Sequence, residues 1–322
     1  MKKFIPVLIV AAAVGLTACS KEAEETTKSD LSEQTEDSVV TEVEEDSEEV
    51  EETEPTPTPE PTEESTEETT EKLDNDFANI VYETSKPVVT DVSETEKDIV
   101  FYRDGQEIAG KLYLPEGDGP FPIVVMSSGL LQPASDYEGK AKGFVSNGYA
   151  ALTFSFIDYS DPELDPVDIV IEDVLISEIT DLEVIMDSLG DLPKVDTDSV
   201  YMWGHSIGGL ITTYVGCERS SEIKGIIAVE PSLIAGERMY LNIEPAYSLK
   251  IYSLMENNET PMVIFVGTHD GFGDMPGVFD KALEAKPTAV LVTIDGADHF
   301  FTDEAETELI RISNEYLDEW QH

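Results

Sequence analysis

Ser206 stands in Gly204-His205-Ser206-Ile207-Gly208, a serine with glycine at both of its second neighbours. A serine hydroxyl attacks a carbonyl only when a nearby base takes its proton, so the pattern asks for a histidine elsewhere in the chain. There are four histidines. His205 adjoins the serine and should point away from it, His269 directly precedes an acid, and His322 is terminal. His299, in Gly296-Ala297-Asp298-His299-Phe300, is left as the base. An imidazole that receives a proton needs an acceptor on its other nitrogen to hold its tautomer. Asp270, which ends Phe265-Val266-Gly267-Thr268-His269-Asp270, is the first choice for that acid and Glu230 the second, with Asp274 and Asp295 as further candidates. Such a trio suits acyl transfer, in which negative charge builds on the carbonyl oxygen and calls for two fixed N–H donors. Ile207, directly after the serine, should supply one, and Ser127-Ser128-Gly129-Leu130-Leu131 the other, with Leu130 ahead of Leu131.

These residues must be carried to one place, and the hydrophobic pattern indicates how. Tyr201-Met202-Trp203 runs into the serine turn and then into Leu210-Ile211-Thr212-Thr213-Tyr214, the strand, sharp turn and helix that expose a nucleophile. Ile99–Tyr102 and Glu107–Leu114 read as a hairpin around Asp104-Gly105, and Phe121–Met126 as a buried strand. A helix is expected over Tyr137–Asn147, a strand over Tyr149–Phe156 and a helix over Val167–Leu189. Four further strands are expected at Ser199–Trp203, Ile223–Val229, Met262–Val266 and Ala289–Ile294, with helices after the first, third and fourth. Strands alternating with helices imply a mostly parallel, doubly wound α/β sheet with flanking helices. Ligand crevices in such sheets open at the C-terminal strand ends, which is where the candidate residues fall. The thirty residues between Pro231 and Thr260 leave room for a short lid insertion carrying Leu233, Ile234, Met239, Tyr240, Leu241, Tyr247 and Leu254, whose spacing favours packing over a substrate box.

The first 76 residues are of another kind. Lys2 and Lys3 precede an apolar run from Phe4 to Leu16, the layout of an export signal and too short for a comfortable membrane span. Leu16-Thr17-Ala18-Cys19 resembles the lipobox of bacterial lipoproteins, which implies removal of residues 1–18 and lipidation of Cys19, holding the mature chain on the outer face of the cell membrane. Residues 19–76 are Glu, Thr, Ser and Pro with almost no large apolar side chain, and a segment of that kind should stay a disordered, extended tether. Its acidic Thr-Pro passages lean toward a Gram-positive surface. Residues 77–322 then form one domain. Cys217, the only other cysteine, has no partner once Cys19 is modified, so the fold stands on its core. The formal net charge is −50, and even residues 1–72 hold 22 acids against five lysines, which disfavours nucleic acid as a partner.

With these motifs in view, residues 99–320 resemble bacterial α/β-hydrolases of the cinnamoyl or feruloyl esterase and dienelactone hydrolase-like groups. The likeness rests on Tyr102-Arg103-Asp104-Gly105, Gly110-Lys111-Leu112-Tyr113-Leu114-Pro115, the GHSIGG turn, the acid loop GTHD and the histidine loop DGADHFFTD. It implies the α/β-hydrolase fold and places the family's nucleophile, acid and base on Ser206, Asp270 and His299. Two departures stand out: Ser128-Gly129 replaces the relatives' His-Gly, and Phe154-Ser155-Phe156-Ile157-Asp158-Tyr159 replaces a strand end that often carries Asp, Gly and His or Arg. The expectation is a serine-dependent hydrolase of carboxylic esters, small or polysaccharide-linked, calling for no metal or organic cofactor. A peptidase or acyltransferase on the same fold, or a surface lipoprotein that binds without catalysis, are the alternatives.

Overall fold

A computed structural model describes residues 9–10, 81–157, 171–233, 251–270 and 277–321. Cys19, the 19–76 tether, Asp274, His322 and the lid positions Ile234 to Tyr247 therefore lie outside the described residues. Among the described residues ten strands form one sheet: β1 (Ile9–Val10), β2 (Thr84–Asp91), β3 (Glu96–Arg103), β4 (Gln106–Tyr113), β5 (Phe121–Ser127), β6 (Ala150–Phe154), β7 (Val195–His205), β8 (Gly225–Val229), β9 (Met262–Gly267) and β10 (Val290–Ile294). Their order is β1-β10-β9-β8-β7-β5-β6-β4-β3-β2. From β1 to β6 the neighbours are parallel, and β4, β3 and β2 complete the sheet antiparallel. The parallel doubly wound sheet expected from the alternating pattern is what forms.

Helices cover both faces. Helix α1 (Glu138–Val145) and α6 (Glu304–Trp320) pack on one, while α2 (Ile171–Ser188), α3 (Ile207–Glu218), α4 (Ile251–Glu256) and α5 (Val278–Ala285) supply the other. Strand side chains alternate between the two layers: in β5, Ile123 and Val125 join the α2–α3 side, and Val124 and Met126 the α1–α6 side. In β7, Val200 and Met202 face one layer, Tyr201 and Trp203 the other. Continuous apolar runs, with no polar alternation, are the pattern of strands buried on both faces.

The β3–β4 hairpin turns through Asp104 and Gly105, both at positive φ (52° and 81°), which is the handedness that matches strand twist. Strand β2 was not expected, because Thr84–Asp91 is exposed almost throughout and contains Pro87. It sits at the sheet edge, where a proline's missing donor is tolerated, and its register with β3 breaks between Ser85 and Val88, across that proline. Arg103 at the end of β3 is buried, donating to the Ser177 carbonyl at 2.6 Å and pairing with Asp181 at 3.2 Å. Asp181 in turn accepts the Ile157 N–H at 2.8 Å, which ties the chain beyond β6 to α2. Of the lid positions inside the described residues, Leu233 is buried and Leu254 packs against the core, so both act as packing. Cys217 is buried within α3.

Candidate active site

Strand β7 ends at His205, Ser206 turns the chain, and α3 begins at Ile207. Ser206 has φ 56° and ψ −122°, a conformation a side-chain-bearing residue adopts only when its surroundings impose it. They do so here through hydrogen bonds and sterics. The Ser206 N–H donates to Val229 of β8 at 2.9 Å, and its carbonyl accepts from Gly209, Leu210 and Ser232 at 3.0–3.2 Å. A methyl group on Gly204 would lie 2.2 Å from the Gly208 carbonyl oxygen, and one on Gly208 would lie 2.2 Å from that of Ser128. The two glycines are therefore required by space, as their positions around the serine predicted. Ser206 Oγ makes no capping bond to α3, which leaves its side chain outside the helix's own hydrogen bonding.

The same contact sets the loop after β5. With the Ser127 and Ser128 carbonyls pressed on Gly208, residues 128–131 lie beside the first turn of α3, so Leu130 and Ile207 belong to neighbouring segments. Leu131, at φ 55°, reverses the chain there, and Gln132 N–H closes the turn on the Gly129 carbonyl at 3.0 Å.

Asp270 follows β9 and His299 follows β10, and the two meet: His299 Nδ1 is 3.1 Å from Asp270 Oδ2. Their loops are stitched together by the His269 N–H on the Ala297 carbonyl at 2.9 Å and the Thr268 N–H on Ile294 at 3.1 Å. Gly267 permits this approach, since a methyl group there would lie 2.3 Å from the Ala297 carbonyl oxygen. The rival carboxylates are placed elsewhere. Asp295 accepts from Thr268 Oγ1 at 3.0 Å. Glu230 is buried at the end of β8, its Oε1 accepting the Gly267 N–H. Burial, with the neighbouring Asp270 adding to it, pushes the Glu230 carboxyl up to about 9, so it carries a proton at neutral pH.

His205 had been set aside as pointing away from the serine, and the structure gives it a task. It is 3 % exposed, and its Nε2 donates to the His299 carbonyl at 2.7 Å. A carbonyl only accepts, so the proton is on Nε2, and the bare Nδ1 lies 2.8 Å from the Tyr137 oxygen. The Tyr137 oxygen receives the Gly129 N–H at 2.9 Å, and its hydroxyl donates to Gln132 Oε1 at 2.5 Å. Burial, and next the nearby His299, push the His205 imidazole down to about 3, so it stays neutral. Through this chain the serine turn, the β5 loop and the histidine loop are joined, and the His205 and His299 rings lie 4.8 Å apart. Sequence reasoning missed Tyr137 and Gln132; the one local signal was an aromatic and an amide close to the Ser128-Gly129 loop. Phe300, 46 % exposed, stands edge-on to His299 at 5.4 Å and gives the site an apolar rim.

Known proteins share this arrangement of fold. The ferulic-acid-bound Est1E from Butyrivibrio proteoclasticus superposes with a TM-score of 0.55 over 67 % of this chain and 96 % of that one, at 18 % identity. Dienelactone hydrolase from Anabaena variabilis superposes with a TM-score of 0.51 over 74 % of this chain and 98 % of that one, also at 18 % identity. At those identities the likeness is one of fold, the α/β-hydrolase fold. Esterase EstD of Thermotoga maritima is 27 % identical over 147 residues, which are 42 % of this chain and 32 % of that protein, so the chain spans about a third of that relative's length. The family model for FrsA-like esterases matches residues 69–236, just over half of the sequence and a stretch that includes the serine turn, and the chain belongs to that family.

Proposed function

We propose that this chain is a serine hydrolase that cleaves carboxylic esters through an acyl-enzyme on Ser206. His299 takes the Ser206 proton as Oγ attacks the ester carbonyl, and Asp270 accepts from His299 Nδ1 and stabilises the imidazolium. The N–H groups of Ile207 and Leu130 receive the oxyanion, and the imidazolium returns its proton to the leaving alkoxide. Water then attacks the acyl-enzyme by the same base, releasing the acid. The observation that carries this is the strained Ser206 turn beside a His299–Asp270 pair assembled from two other strand ends. Membership of an esterase family favours an ester over an amide as substrate. The exposed ring of Phe300 favours a small ester with an apolar or aryl group, in keeping with the ferulic acid held by Est1E. We further propose that the chain is exported and lipidated on Cys19, with residues 19–76 as its tether.

The test is turnover of short-chain and aryl p-nitrophenyl esters by the purified full-length chain. Wild type should hydrolyse them, with Ser206→Ala lowering kcat on the order of a million-fold. Full turnover by Ser206→Ala, or cleavage of amides in preference to esters, would overturn the assignment.

A further inference from the structure

The loop that carries Leu130 is closed twice. Gln132 N–H donates to the Gly129 carbonyl at 3.0 Å, the backbone bond of a four-residue turn with Leu131 at φ 55°. The second closure comes from outside the turn. The Tyr137 oxygen accepts the Gly129 N–H at 2.9 Å and its hydroxyl donates to Gln132 Oε1 at 2.5 Å, so one phenol joins the first residue of the turn to the last. The bare His205 Nδ1, 2.8 Å from the same oxygen, is a second acceptor for that proton. With either acceptor the oxygen keeps lone pairs for Gly129.

Between the two closures lie Leu130 and Leu131, both half-buried, whose backbone N–H groups have no hydrogen-bond partner among the described residues. Gly129 and Gln132 spend theirs on holding the turn, which leaves the middle pair as its donors for a ligand. The phenol is itself fixed. Tyr137 is buried, with its ring edge-on to Trp203 at 5.6 Å. Burial pushes its hydroxyl above the ordinary tyrosine range, so it keeps its proton. The Gln132 side chain lies against the turn, in the space that a methyl group on Gly129 would take.

We propose that Tyr137 is a positioning residue for the oxyanion: by tying both ends of the 129–132 turn to one hydroxyl, it aims the Leu130 N–H at the carbonyl oxygen under attack by Ser206. The inference rests on the serine-hydrolase reading above and names what fixes its second oxyanion donor.

Tyr137→Phe removes the oxygen and leaves the ring on Trp203. The experiment compares it, as the full-length chain, with wild type, Gln132→Met and Tyr149→Phe. The last deletes another buried hydroxyl of the same helical layer, one that donates to Asp318 at 2.8 Å, and serves as the control for a structural effect. Three quantities are read: kcat and KM on p-nitrophenyl acetate, Ki for a short alkyl trifluoromethyl ketone, and hydrogen exchange of the Gly129 and Gln132 amides. The ketone adds the serine oxygen and so carries an oxyanion where the ester would develop one. Tyr137→Phe should lower kcat about ten-fold with KM little changed, and raise Ki by the same factor. Its Gly129 and Gln132 amides should exchange about ten-fold faster. Gln132→Met, which cuts only the second link, should show each effect at about three-fold, and it decides if Tyr137→Phe fails to fold. Tyr149→Phe should lower Tm and leave kcat, Ki and those two amides as in wild type. Wild-type kcat and Ki in Tyr137→Phe, unchanged exchange of the two amides, or a Tyr149→Phe enzyme that matches Tyr137→Phe in kcat and Ki would overturn the proposal. The exchange measurement needs no turnover, so it judges the Tyr137 tie even if the wild type hydrolyses no ester.

Discussion

On the β7–α3 side of the site Ser206 is held by atoms that cannot be compressed, whereas on the β8–β10 side Asp270 and His299 are held by shared protons. Gly204 and Gly208 leave no room for a methyl group, and the turn keeps its strained shape because strand, helix and β5 loop close around it. Opposite it, three separate loops converge, and what fixes them is a set of hydrogen bonds from the Gly267 N–H to Glu230, from the His269 N–H to Ala297 and between His299 and Asp270. His205 links the two sides, with its backbone in β7 and its ring on the His299 carbonyl. Steric positioning is local in sequence and costs stability when violated; protonic positioning is non-local and fails through chemistry while the fold stands.

Substitutions on the two sides should therefore fail differently. Of one substitution on each side, the larger effect on rate belongs to Asp270→Asn, an isostere that leaves packing alone but presents the wrong partner to His299 Nδ1. It should lower kcat about ten-thousand-fold with little change in Tm, read by steady-state kinetics and thermal melting of one preparation. A kcat within ten-fold of wild type would move the acid elsewhere. Gly208→Ala should fall less in rate and further in stability. Its methyl group meets the Ser128 carbonyl, so overpacking of about 1–3 kcal/mol should lower Tm by about 2–12 °C. The same shift displaces the loop carrying Leu130, so kcat should drop about a hundred-fold. A Gly208→Ala protein with wild-type Tm would mean that the steric account of the turn is wrong.

The same contrast decides what could be read from the sequence. The serine turn was legible because its cause lies within five consecutive residues, and the glycines named the contacts they would make. The sheet was legible because strands buried on both faces are written as continuous apolar runs such as Phe121–Ser127. His299 could be reached by elimination among four histidines. The choice between Asp270 and Glu230 stayed open, since both follow strands of one sheet and only the packing of three loops shows which carboxyl reaches the imidazole. The Tyr137–His205–His299 link was hidden for the same reason, joining residues 68 and 94 apart. Strand β2 was missed because an exposed edge strand with a proline carries neither alternation nor an apolar run.

Reaction of the full-length chain with a fluorophosphonate, followed by peptide mass mapping, tests the central claim most directly, because the probe bonds only to a serine whose hydroxyl has been activated. A single adduct on Ser206 is predicted in wild type, none in Ser206→Ala, and much slower labelling in His299→Ala. An adduct on another residue, or equal labelling of wild type and His299→Ala, would contradict the account.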